Sequence, residues 1–228
     1  MRSVTRENPS VGWNLIIKLL PKHHSSSSKT HRPKWREYVP EDWKDGVTHA
    51  QRWEDEAFYA DLALELAGDD SKQLGDLLDF YFYIHPDFSD FSENYRLRLI
   101  SDNVMNLPDE KMFDLWSKIA TTTSNHRKYS NSDAWKVSEK LLSELENVAE
   151  QLKPKKPQIE HRRLFSGYEM DLYEETSDWD KQREVLLQKR IKALLEIQQH
   201  EGVDGLKKFW KSVESPNEVG NALSLIHI

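Results

Sequence analysis

Apolar positions recur along most of the chain at helical rather than strand spacing. Trp53, Ala57, Ala60, Leu64 and Ala67 follow one another at intervals of three and four, as do Leu141, Leu145, Val148 and Leu152, with Leu142 and Ala149 beside them. That period puts side chains on one face of an α-helix, so both stretches predict amphipathic helices. Cap signals punctuate the pattern. Asn8 before Pro9 predicts a helix with Val11, Leu15, Ile16, Leu19 and Leu20 inward and Pro21 as its stop. Thr48 and Asp70 suit the N-caps of the next two helices, the first leaving through Gly68 and the second turning Leu74, Leu77, Leu78 and Tyr81 inward. The run Phe80–His85 is rich in strand formers, but its helical lead-in and Pro86 favour a helix end.

Further helices are expected from Ser89 or Ser92 (Tyr95, Leu99 and Ile100 inward), from Pro108 (Met112, Phe113, Trp116, Ile119) and from about Ser132. Lys153–Pro157, KPKKP, breaks the pattern and opens what reads as a linker to about Thr176. A long helix starts at Ser177 with Leu187, Ile191, Leu194 and Leu195 inward, and Gly202 ends it. A short one follows with Val203, Leu206, Phe209, Trp210 and Val213, and Ser215–Pro216 opens the last. Helices in succession, joined mostly by short loops, predict an all-α fold of paired antiparallel helices in an elongated, α-solenoid-like or irregular array. Four regions follow: 1–46, a helix plus a basic Ser-rich loop; 47–152, the main helical array; 153–176, a basic Pro-containing linker; and 177–228, the C-terminal helices.

Composition agrees with helices and sharpens the exclusions. Of 228 residues, 37% are hydrophobic and 31% charged, with only 8 Gly and 9 Pro, which implies a large surface over a modest core. The chain has no Cys, so disulfides, thiolate metal sites and Cys nucleophiles are excluded, in keeping with a reducing compartment. The longest apolar run, Leu15–Leu20, is interrupted by Lys18 and falls far short of the ~20 residues of a membrane span. With no apolar signal core after Arg2 and Arg6, the expected location is the cytoplasm. Charge is segregated: residues 1–46 hold nine Lys/Arg against five Asp/Glu, and residues 47–120 hold six against sixteen. The acidic stretch disfavours nucleic acid, whose phosphates require Lys and Arg.

Enzyme signatures are missing. The chain has no GxxxxGK[ST] phosphate loop, GxGxxG, GxSxG or HExxH, and no Arg with a His four to six residues on, the pattern of helical HEPN-type ribonucleases. No catalytic residue, metal site or cofactor is therefore expected. His23, His24 and His31 cluster without a carboxylate at ligand spacing. The same loop could contact phosphate or nucleic acid through Lys22, Lys29, Arg32, Lys34 and Arg36, with Trp35 as a stacking ring, although its four consecutive Ser also suit a solvated linker. KPKKP with Arg162 and Arg163 is a second basic patch that could meet an acidic partner or the chain's own acidic stretch, or act as a stiff spacer. The eight Trp and the run Phe80–Tyr83 read as packing between helices.

The segments VGWNLIIKLLPKHHSSSSKTHRPKWREY (Val11–Tyr38) and VESPNEVGNAL (Val213–Leu223) resemble the helical arms of very large bacterial signalling ATPases of the STAND type. The resemblance implies a non-catalytic, protein-interacting sensor segment of a larger bacterial protein whose ATPase lies elsewhere, possessing no family catalytic residue of its own. Leu223–Ile228, LSLIHI, is similar to translated sequencing-adapter read-through, which implies a non-native tail on a coding fragment. The expected partners are a protein or other domains of the same polypeptide, with nucleic acid on residues 22–36 as the alternative and no membrane.

Overall fold

The computed structural model describes residues 2–21, 48–129, 136–166 and 179–226, which are all-α: among them no strand forms. The chain divides into two compact units at Arg98 and Leu99.

The first unit begins with α1 (Arg2–Glu7) and α2 (Pro9–Leu19). Asn8 Oδ1 accepts from the Val11 amide at 3.4 Å, the expected Asx cap. The buried face of α2 is only in part the expected one, Ile16 and Leu20 being buried as expected. Gly12, Trp13, Ile16 and Leu20 are buried, whereas Val11, Leu15 and Leu19 remain exposed. The reason is α1, a short polar helix with no apolar period. It folds back so closely that a Cβ at Gly12 would lie 2.6 Å from Thr5 Cγ2. The glycine admits α1 and turns α2 about its axis.

In α3 (His49–Ala67) the Thr48 capping box forms with Gln51, and Ala57, Ala60, Leu64 and Ala67 are buried as expected. Gly68, at φ 52°, ends it. Asp70 caps α4 (Ser71–Leu77), accepting from the Gln73 amide at 2.9 Å. The chain then tightens into a 3₁₀ turn, Leu78–Phe80, and leaves helical conformation instead of carrying the helix on to His85. Tyr81 remains fully buried. In α5 (Phe91–Leu99), Tyr95 Oη donates to the Leu74 carbonyl at 2.7 Å and the Phe91 ring stacks on Tyr95. Ile100, expected inward, is exposed.

The second unit starts with the short α6 (Asp102–Met105), which buries Val104, and α7 (Asp109–Lys128), which buries Met112, Leu115, Trp116 and Ile119. Its partner α8 (Glu139–Leu152) begins after Ser138, whose Oγ accepts from the Leu141 amide, and residues 136–138 are not helical. Leu142, Leu145, Val148 and Leu152 form its buried stripe. Residues 153–166, read from sequence as linker, are packed. Pro157 opens the single turn α9 (Pro157–Glu160), a 3₁₀ turn (His161–Phe165) follows, and Ile159 and Phe165 are buried.

Helix α10 (Trp179–Ser212) leaves helical conformation only at Gly202, φ 67° and ψ −164°, the left-handed region that glycine enters without strain. It buries Leu186, Ala193, Leu194 and Ile197 before the break, and Leu206 and Phe209 after it. Leu195, Val203 and Trp210, expected inward, are exposed. The last helix, α11 (Pro216–Leu223), buries Val219 and Ala222 in a cluster with Phe165, Leu194 and Phe209. Its apolar face is thus covered by this chain. No helix among the described residues is long and apolar enough to cross a membrane.

Phe165 belongs to that cluster, fully buried with its ring edge-on to Phe209 at 5.2 Å. Phe165→Ala should lower stability by about 3–5 kcal/mol through lost burial and the cavity left behind. Leu195→Ala on the outer face of α10 should change it by no more than about 0.5 kcal/mol. Denaturant unfolding of both variants measures the difference, and equal effects would remove Phe165 from the core.

Candidate functional site

Three helices of the second unit present the same spacing to one cleft of about 660 Å³. Trp116, Ala120 and Thr123 of α7 stand four and seven residues apart. Glu146, Ala149, Glu150 and Lys153 at the end of α8 repeat at three, four and seven, and so do Lys189, Lys192, Ala193 and Glu196 of α10. Residues so spaced share a helix face. The short packed segment adds Glu160, His161, Arg163 and Leu164. The lining thus combines small apolar side chains and an indole with charges of both signs.

Several of those charges are held by specific partners. Arg127 donates from Nε and Nη2 to the two Glu146 carboxylate oxygens at 2.7 Å each, from Nη1 to Glu139 at 2.6 Å, and from Nη2 to Ser143 Oγ at 3.2 Å. This clamp joins the end of α7 to α8. Its hydrogen bonds push the Arg127 guanidinium up from its ordinary value and the Glu139 carboxyl down. Lys153 Nζ meets Glu160 at 3.0 Å, and that bond, with added field from Glu150 and Glu196, holds its ammonium above the ordinary lysine value despite desolvation. His161 Nε2 lies 3.1 Å from Glu196 Oε2. Arg163 covers the Trp116 ring at 5.8 Å, a cation–π contact. The Thr123 hydroxyl is turned back onto its own helix, donating to the Ile119 and Ala120 carbonyls at 3.1 Å each. Such a site can hold groups of either charge against an indole and a floor of alanines.

Sequence reasoning singled out other residues. Lys22, Lys29, Arg32, Lys34, Trp35 and Arg36 lie outside the described residues, as do His23, His24 and His31. The second basic patch pairs with the chain's own acids. Lys156 meets Asp109 at 2.8 Å and Arg162 pairs with Glu110, both acids in the first turn of α7 and both within the acidic stretch of the sequence. Of the aromatic residues, Trp53 stacks on His85 at 4.4 Å within the first unit, and His85 Nδ1 accepts from the Asp87 amide. Among the described residues no group of three or more His, Cys, Asp and Glu side chains is placed to hold a metal ion. Lys153 and Arg163 of the second basic patch line the cleft, and Trp116 reads from sequence as packing; the other lining residues were passed over, although the shared three, four and seven spacing of charged residues on α8 and α10 is visible in the sequence.

Comparison with protein-family models, with curated proteins and with solved structures gives no match.

The Arg127 clamp makes a pH prediction. Because Glu139 has a folded value below the ordinary 4.5, its contribution is present above that ordinary value and is lost as pH falls through the lowered one. Arg127→Gln should therefore destabilise the chain near neutral pH, and the gap between variant and parent should narrow as pH drops below about 4.5. Thermal melts across that range read it directly. A gap that widens on acidification would contradict the clamp.

Proposed function

We propose that this chain is a non-catalytic helical interaction module whose second-unit cleft receives a segment of a protein partner or of another domain of the same polypeptide. The observation that carries the reading is the cleft lining: cations and carboxylates arranged over Trp116, Ala120, Ala149 and Ala193, with the Thr123 hydroxyl committed to its own helix. Charged side chains of both signs around a small apolar floor suit recognition of another polypeptide, where opposite charges steer and orient. The reading takes the helix pairs α7–α8 and α10–α11 as parts of a solenoid-like array. It also places the chain in the cytoplasm, as a sensor segment of a larger bacterial signalling protein of the STAND type. The likeness of Val11–Tyr38 and Val213–Leu223 supports that last step.

In vivo photocrosslinking tests the proposal. A photoreactive side chain in place of Lys192, exposed on the cleft wall, should give a discrete protein adduct on illumination. The same group in place of Lys140, outside the lining, should not. A nucleic-acid adduct at Lys192, or none at all, would contradict the reading.

A further inference from the structure

The charges of the cleft are sorted along its length. Around Lys153 stand Glu160, at 3.0 Å, and Glu150 and Glu196, both near enough to act on its ammonium. Glu196 also holds His161. Three lining carboxylates act on that one lysine, so that end keeps a surplus of negative charge. The seated Lys153 shows that it accommodates an alkylammonium group.

From Glu196 the same face of α10 turns cationic. Lys192 lies one turn away and Lys189 two, about 6 Å and about 10 Å along the axis at 1.5 Å per residue. Arg163, over Trp116, adds a third cation to the lining. The remaining lining carboxylate, Glu146, is already matched by Arg127.

Resting on the interaction-module reading, we infer that the cleft selects a peptide segment bearing one basic and one acidic side chain about 6–10 Å apart. The basic group enters the Glu150–Glu160–Glu196 end and the acidic group meets Lys189 and Lys192. Side chains four to seven residues apart on a helix, or two to three apart on an extended strand, span that distance at about 1.5 or about 3.3 Å per residue. Discrimination comes from the mismatches. A wholly basic peptide sets its second cation against Lys189 and Lys192, and a wholly acidic one, or a nucleic acid, sets anions against three carboxylates.

Selection of phage-displayed random dodecapeptides on the immobilised full chain tests this, with Glu150→Gln and Lys192→Gln as comparison surfaces. Both positions are exposed, and circular dichroism confirms that each variant is folded before use. Enriched peptides should pair Arg or Lys with Asp or Glu at those spacings, and their retention should fall about tenfold on either variant. Peptides of a single charge sign, or uncharged ones, that are lost on both variants would overturn the inference while leaving a peptide-binding cleft in place. No enrichment, or enrichment indifferent to both variants, would overturn the inference and the interaction-module reading together.

Discussion

The Arg190 guanidinium, with its side chain only 5% exposed, is a positive charge in the interior of the second unit. Removing such a group from water is expensive unless hydrogen bonds and an opposite charge replace the solvent. Here the replacements come from other elements. Nε donates to the Leu164 carbonyl at 2.8 Å, Nη1 pairs with Glu218 in the first turn of α11, and the guanidinium lies 5.6 Å from the centre of the Phe165 ring. Helix α10 can bury this face only when both the 3₁₀ turn and α11 are docked against it.

Phe165 enforces the same arrangement by apolar means. Its ring packs against Phe209 and its carbonyl accepts from the Ser215 amide at 3.0 Å, so one residue meets both the far end of α10 and the entry to α11. Docking of residues 157–166 in turn carries His161, Arg163 and Leu164 into the wall of the cleft. The cleft wall and the core of this unit therefore share one short segment, and disturbing the one alters the other.

The sequence anticipated elements whose signals are local. The period and caps of α3 and α4 follow from spacing and from Thr48 and Asp70, and the buried stripe of α8 follows from spacing alone. It misled where burial depends on a distant partner. Nothing in the spacing of α2 says that Gly12 must face Thr5. Residues 153–166 are rich in Lys, Arg and Pro and read as spacer because three residues, Ile159, Leu164 and Phe165, supply the apolar anchoring. The cleft escaped notice for a similar reason. Charged residues at helical spacing ordinarily cover a solvated face, and only tertiary packing brings three such faces together.

The central claim is that residues 157–166 are a docked wall and not a tether between helices. Amide hydrogen exchange at Ser215 tests it most directly, since this N–H donates across fifty residues of chain to the Phe165 carbonyl. With the segment docked, Ser215 should exchange as slowly as amides in the middle of α10, opening only with the unit as a whole. Exchange at the rate of an unstructured peptide, with α10 still protected, would show the segment undocked and would remove both the Leu164 carbonyl from Arg190 and the wall of the cleft.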